Sequence, residues 1–517
     1  MDRGWVAYSP RSGAVFTGSQ RITADPTATA ARPADDRPEL ADVGRLLRRG
    51  VRGLVGAARS GEEPTLASVL SAHLGAGGST LAVVEESWAG YEHVNVQAGL
   101  DAWLTGAGGD VEVVGVVGFQ HRPFGLGDLL TQQARDPYGP RPGNVARINL
   151  PSGPDGEVRG CVRCALYLVT EGEVRTALLL RGSEPETGNP QVTLQVVSTD
   201  PDRATVAAAG IRASAAEHNV FRGQVLCFGM EMFGHGQTLL AFHRRPVMSG
   251  DQLILPESTV RAVERQVVGV AEHKEALLAA GQHLKRGLLL YGPPGVGKTH
   301  TVRYLTARLT GTTVLQLSGN ALHLIGEACS VARALAPSMV VIEDVDLIAE
   351  DRGMHPGNHP LLFQLLNEMD GLAEDADVVF VLTTNRADLL EPALAARPGR
   401  VDQAIELTLP DTDGRRALVE LYRGGLHLPA DALDSIADRT DGVSASFLKE
   451  LLRRAALNAG DRLPDVSAAD LSAALDELMD TRSAMTRTLL GGGRDGSEPG
   501  AGPSFGPPEP GLAPPGW

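Results

Sequence analysis

Short, largely apolar runs alternate with helix-length amphipathic stretches over the second half of the chain. Gly287-Leu288-Leu289-Leu290-Tyr291, Thr313-Val314-Leu315-Gln316-Leu317, Met339-Val340-Val341-Ile342, Val378-Val379-Phe380-Val381-Leu382 and Ala404-Ile405-Glu406-Leu407 are too short for helices. Runs of this kind, separated by helical segments, predict a parallel sheet covered by helices on both faces. Beyond Asp411 the strand pattern stops, and helical stretches near 413–424, 430–438, 444–459 and 467–480 predict a small all-helical domain. Upstream the pattern is mixed. Strand-like runs at Thr80-Leu81-Ala82-Val83-Val84-Glu85 and Val111 to Val117 precede β-prone runs around 157–169, 173–182, 191–199, 223–230 and 238–243, interrupted by the Ala-rich helical run Ala204 to Glu217. An α+β region of one or two subdomains is expected there.

These patterns divide the chain into a leader at 1–38 without hydrophobic periodicity, expected to be disordered, and an α+β region at 39–250. An α/β domain follows at 253–411, then a helical domain at 412–488. The tail at 489–517 is also expected to be disordered, because Gly and Pro supply 16 of the 27 residues from Gly491 to Trp517. Composition agrees with several globular domains: the 517 residues are 43% hydrophobic and only 4% aromatic, so the cores are aliphatic.

The net charge of −16 lacks the basic footprint that nucleic-acid binding needs. Four cysteines cannot form a disulfide framework, and the start Met1-Asp2-Arg3-Gly4-Trp5 has no secretory pattern. With no 18-residue apolar stretch, no membrane span is expected, and a cytoplasmic location follows. Only four of the 47 basic residues are lysines: Lys274, Lys285, Lys298 and Lys449. A lysine in this chain is therefore informative.

One of the four lies in Gly292-Pro293-Pro294-Gly295-Val296-Gly297-Lys298-Thr299, between a predicted strand and a predicted helix. This is the P-loop pattern. Glycines let backbone N–H groups turn inward around phosphates, Lys298 reaches the β- and γ-phosphates, and Thr299 ligates Mg²⁺. The strand at Met339 to Ile342 ends in Glu343-Asp344-Val345-Asp346. Carboxylates at such a tip hold Mg²⁺ and orient or deprotonate an attacking water, as phosphoryl transfer requires. Together the motifs imply ATP and Mg²⁺ as ligands.

Over about 253–488 the sequence resembles the AAA ATPase family, in its single-ring remodelling branch. Thr383-Thr384-Asn385 resembles sensor 1, with Asn385 placed to position the water. Leu390-Glu391-Pro392 through Arg397-Pro398-Gly399-Arg400-Val401-Asp402 resembles the second region of homology, which implies Arg397 and Arg400 as fingers into a neighbouring subunit's γ-phosphate. Asp370-Gly371-Leu372 resembles the intersubunit signalling motif, Asp441-Gly442-Val443-Ser444-Ala445 the small-domain turn near the nucleotide, and Val268-Gly269 the segment that touches adenine. The resemblance implies a homo-oligomeric ring, usually a hexamer, since an arginine acting across a subunit boundary makes hydrolysis depend on assembly. It also implies a protein substrate or adaptor, here met by the N-terminal region.

Three features depart from the family pattern. The Walker B carboxylates are inverted, Glu343 then Asp344, which predicts Glu343 at the metal and the shorter Asp344 at the water. One extra residue between Pro392 and Arg397 leaves open which arginine is the primary finger. Where family unfoldases present an aromatic, an apolar residue and Gly to the central pore, this chain has Leu324-Ile325-Gly326-Glu327. Two outputs therefore stay open: a motor that threads polypeptide, and a nucleotide-gated binding or scaffold protein. No His-Glu-x-x-His occurs, so zinc proteolysis is not expected of this sequence. Cys161-Val162-Arg163-Cys164 has the spacing of half a zinc site and lacks a second pair, so two semi-buried thiols are expected. His355 and His359 lie in a Pro- and Gly-containing segment expected to form a second pore-side loop.

Overall fold

The computed structural model describes residues 65–75, 81–119, 124–131, 140–184, 189–230, 238–346, 360–387, 401–429 and 431–479. The expected leader and the Gly/Pro tail lie outside these residues, as do His355 and His359.

The first layer system is an antiparallel sheet in the order β1 (Val84–Ala89), β8 (Gln191–Ser198), β7 (Val174–Arg181), β6 (Cys164–Glu171), β2 (Asp110–Val117), β3 (Arg141–Gly143). Its central strands β6 and β7 are apolar on both faces because both are covered. On β6, Leu166 and Leu168 point to a cluster with α1 (Leu66–Leu74) and α3 (Leu126–Thr131). Ala165, Tyr167 and Val169, one step out of phase, point to α2 (His93–Gly106) and α4 (Pro201–Glu217). Gly99 is required where these two helices touch, since a Cβ there would lie 2.3 Å from the backbone nitrogen of Ala215. A separate hairpin of β4 (Arg147–Pro151) and β5 (Val158–Val162) completes this region.

The second sheet has the order β10 (Thr238–His243), β9 (Val225–Met230), β12 (Thr313–Leu317), β13 (Ser338–Ile342), β14 (Val378–Thr384), β11 (Arg286–Tyr291), β15 (Gln403–Glu406). From β9 to β15 all pairs are parallel, while β10 returns antiparallel along β9. One face packs on α5 (Glu257–Glu264), a π-helical turn at Arg265–Gly269, and α7 (Lys298–Arg308), burying Val263, Val267, Leu305 and Val341. The other packs on α8 (Ile325–Ala334) and α9 (Pro360–Asp370), burying Ile325, Cys329, Leu365 and Phe380. Four helices follow, α10 (Thr412–Arg423), α11 (Ala432–Arg439), α12 (Ala445–Ala459) and α13 (Ala468–Met479), around a core of Leu418, Ile436, Phe447, Leu451 and Leu475.

One expectation needs correction. The boundary near 250 does not coincide with the sheet: β9 and β10, expected in the N-terminal region, extend the α/β sheet, with Val225, Leu226 and Cys227 opposite Val314, Leu315 and Gln316. The join is welded by Arg245, whose guanidinium donates to the carbonyl oxygens of Thr306, Leu309, Gly223 and Thr312 at 2.6–2.9 Å. Tyr91 also meets the Phe228 ring edge-on, 6.4 Å between centroids. Further, Leu324 and Ile325 do not stand out as a loop. They are 5% and 1% exposed, in one apolar cluster with Phe228 and Leu240 of the added hairpin, and only Glu327 of the four is exposed. Burying two aliphatic side chains is worth about 1.5–3 kcal/mol each, which holds the segment inward.

Candidate functional site

The strand order β13, β14, β11 brings three carboxyl-terminal tips side by side, and in an open α/β sheet ligands bind beyond such tips. β11 runs into the P-loop and α7, β13 into Glu343 to Asp346, and β14, between them, into Asn385.

The loop turns as its glycines permit. Gly292, Gly295 and Gly297 have φ of 144°, 80° and 108°, in the left-handed half of backbone space, which a side chain disfavours. At Gly292 a Cβ would lie 2.2 Å from the carbonyl oxygen of Leu407. Val296 is buried and pins the loop to the core that also holds Val268 and Leu407.

Lys298 is 7% exposed, and its ammonium donates to the carbonyls of Gly292 (2.8 Å) and Pro293 (2.9 Å) and to Asn385 Oδ1 (2.8 Å). Burial lowers its pKa, opposed by the charges of Asp344 and Asp346. The next residue, Thr299, is exposed, and its hydroxyl donates to the Glu343 carboxylate. Burial raises the Glu343 pKa; the Thr299 bond opposes this and the Asp344 charge adds to it.

Asp344 has φ of 50°, the one non-glycine residue with positive φ among those described. An aspartate tolerates this conformation better than most residues, at a cost of order 1–3 kcal/mol. The turn is held by Thr383: its hydroxyl accepts from the Asp344 N–H at 3.1 Å and its carbonyl from the Val345 N–H at 2.9 Å. The consequence is positional. Glu343 turns to Thr299, while Asp344 stays exposed with Oδ1 3.4 Å from Asn385 Nδ2. Asp346, buried, accepts from the Thr384 hydroxyl at 2.8 Å and steadies the strand tip beside Asn385.

The site thus brings together Gly292 to Thr299, Glu343, Asp344 and Asn385. Val268 is buried in the same apolar cluster as Val296, and Gly269 closes the π-helical turn that packs on β11 and α7. Arg397 and Arg400 lie outside the described residues. For Mg²⁺ the donor set fits: a hydroxyl and a carboxylate side by side are the hard oxygen ligands it takes. One contributor lies outside every motif, Ser446, whose backbone N–H donates to the Gly295 carbonyl at 3.2 Å and seats the helical region on the loop, while Thr383 and Asp346 lie within motifs that do not announce their bracing contacts. A Cβ on Gly295 would lie 2.7 Å from Ser444 Oγ, so the contact itself demands glycine.

Among the described residues no group of three or more metal-ligating side chains forms a metal site. Cys161 and Cys164 are fully buried, and burial pushes both thiols up to about 12, which makes them inert. No helix among the described residues is long and apolar enough to cross a membrane.

The family described as "ATPase family associated with various cellular activities (AAA)" matches residues 288–409. The proteasome-activating nucleotidase of Methanothermobacter thermautotrophicus is 32% identical over 257 residues, 47% of this chain and 62% of that protein. The ATP-dependent zinc metalloprotease FtsH 2 of Sphaerobacter thermophilus is 33% identical over 252 residues, 45% of this chain and 38% of that one. The FtsH of Mycobacterium tuberculosis is 33% identical over 246 residues, 44% and 31% respectively. The chain therefore spans between about a third and 62% of the length of these relatives. The segment at 288–409 that matches the AAA family contains the P-loop, the acidic strand tip and Asn385 in the arrangement just described.

Proposed function

We propose that this protein binds Mg²⁺·ATP and hydrolyses it in a homo-oligomeric ring, a hexamer, that remodels protein substrates. The observation that carries the reading is the convergence of Lys298, Thr299, Glu343, Asp344 and Asn385 at three adjacent strand tips. The P-loop amides and Lys298 hold the phosphates, and Thr299 with Glu343 holds the metal. Bound Mg²⁺ supplies positive charge against the phosphate oxygens. Asp344 and Asn385 orient the attacking water, and Asp344 takes its proton. Arg397 and Arg400 complete the neighbouring subunit's site. Val268 and Gly269 border the adenine, and the N-terminal region meets the substrate or adaptor. We place the protein in the cytoplasm. The names of the relatives, a proteasome-activating nucleotidase and ATP-dependent proteases, support ATP-driven work on proteins.

A second reading has its own support. Leu324 and Ile325 are packed beneath the β9–β10 hairpin, which favours a nucleotide-gated binding or scaffold protein over one that grips polypeptide with this segment. Phosphate release measured against chain concentration, with and without an unfolded protein, separates the two. The motor's activity per chain rises as rings form and rises again with the unfolded protein. Activity that responds to concentration alone identifies the gated scaffold, and no phosphate release under any condition rules out both.

A further inference from the structure

A charged cluster at the base of the sheet is absorbed by none of the roles above. Arg286, the first residue of β11, is 5% exposed. Its Nη1 donates to the Leu284 carbonyl (2.8 Å) and to Asp377 Oδ1 (3.1 Å), and its Nη2 to the Val267 carbonyl (3.4 Å). The other oxygen of Asp377, itself 7% exposed, lies 3.3 Å from Lys274 Nζ on α6 (Lys274–Ala279). One buried carboxylate therefore ties down two points of the chain, Val267 through Arg286 and Lys274 directly. These two points flank Val268 and Gly269. A third tie precedes them: the Tyr304 hydroxyl, on the P-loop helix, bonds the Glu264 carboxylate at the end of α5.

The π-helical turn at Arg265–Gly269 has one residue too many for the regular helical ladder, a feature that frequently accompanies functional sites. It packs against both arms of the phosphate loop, β11 and α7, and shares the apolar cluster of Val296. Arg286 stands on one arm and Tyr304 on the other, so the turn is referenced to the phosphate site from both sides. A purely structural ion pair would need only Arg286 and Asp377. The reach to the Val267 carbonyl and the recruitment of Lys274 add nothing to the pairing of β11 with β14.

We infer that Arg286, Asp377 and Lys274 form a positioning device that fixes the backbone at Val268–Gly269 relative to the P-loop and so sets the preference for adenine over other bases. The inference rests on the nucleotide-site reading and deepens it. Arg286 acts through the peptide it holds and touches no ligand itself. Phosphate affinity belongs to the loop and Lys298, so the device governs base discrimination alone.

The test is equilibrium binding of Mg²⁺·ATP, Mg²⁺·GTP and Mg²⁺·tripolyphosphate to the full chain and to K274M, K274R and R286K. Lys274 is 40% exposed, so its replacement leaves the core packed even if Arg286 variants fold poorly. The expected result is a parent that prefers ATP. The ratio of ATP to GTP affinity should fall about tenfold in K274M and R286K, the scale of one lost charged hydrogen bond, and recover in K274R. Tripolyphosphate affinity should stay within about twofold of the parent throughout. A ratio unchanged in both variants, a parent without base preference, or tripolyphosphate affinity falling in step with ATP would each overturn the inference while leaving the nucleotide site standing. A parent that bound none of the three would overturn the nucleotide site and this inference together.

Discussion

Lys298 donates a 2.8 Å hydrogen bond to Asn385 Oδ1, joining the P-loop helix to the tip of β14. The same Asn385 side chain turns its Nδ2 to Asp344 at 3.4 Å, so one amide spans the P-loop lysine and the exposed carboxylate.

Replacing Asn385 by Ala should therefore leave Mg²⁺·ATP affinity within a few-fold while lowering turnover by about 10²–10³, the usual loss when one preorganised polar group at a reacting centre is removed. Calorimetry and phosphate release on the same preparation measure both. An affinity loss as large as the turnover loss would assign Asn385 to binding instead.

The inverted carboxylates should respond differently to neutral substitution. Asp344→Asn should bind Mg²⁺·ATP normally and turn over slower by about 10²–10⁴, the range for loss of a positioned base. Glu343→Gln should weaken Mg²⁺-dependent binding itself, because an amide is a poorer partner for a hard dication. If Asp344→Asn hydrolyses at the parental rate while Glu343→Gln binds normally and is inactive, the two roles are exchanged.

Nucleotide binding should have a narrowed pH window. The Glu343 pKa is raised by burial, so its negative charge is lost, as pH falls, above the ordinary carboxylate range. The Lys298 pKa is lowered by burial, so its positive charge is lost, as pH rises, below the ordinary lysine range. Mg²⁺·ATP affinity measured across pH should fall on both flanks, and Glu343→Gln should flatten the acidic flank only. An acidic flank identical in parent and variant would show that another group titrates there.

How much of this site the sequence announces depends on how local each signal is. Gly292 to Thr299 and Glu343 to Asp346 are legible because phosphate and metal chemistry demand those residue types within a few positions, next to apolar strands. The role of Thr383 as the brace of Asp344 has no such signature, since it comes from β14 lying beside β13. The pairing of Val225 with Val314 is illegible for the same reason. A β-prone run predicts a strand, but its partner is set by tertiary packing, here Phe221, Phe228 and Leu240 against Leu322 and Ile325. The burial of Leu324 follows from that added hairpin, so motif alignment alone could not find it.

Acid should weaken the N-terminal sheet through His93, which is 4% exposed and donates from Nε2 to the Val162 carbonyl at 2.9 Å. Burial lowers its pKa to about 4, so between that value and the unfolded value of 6.5 the unfolded chain binds the proton and the folded chain does not. Stability is lost as pH falls through this window, by roughly 3 kcal/mol at its lower end. His73 is shifted in the same direction and Glu92 opposes it, so the comparison is between variants. In urea unfolding followed by Trp88 and Trp103 fluorescence, His93→Gln should show a shallower pH dependence than the parent. Parallel curves would exclude His93 as the source.

The most direct measurement is calorimetric titration of Mg²⁺·ATP into the full chain and into Lys298→Ala. Lys298 is the one basic side chain that reaches both the loop carbonyls and Asn385 among the described residues. One ATP should bind per parental chain, and the variant's affinity should be lower by at least about 100-fold, the upper scale for a lost charged hydrogen bond at a phosphate. Equal affinity in the two proteins would contradict the assignment of this loop as a nucleotide site.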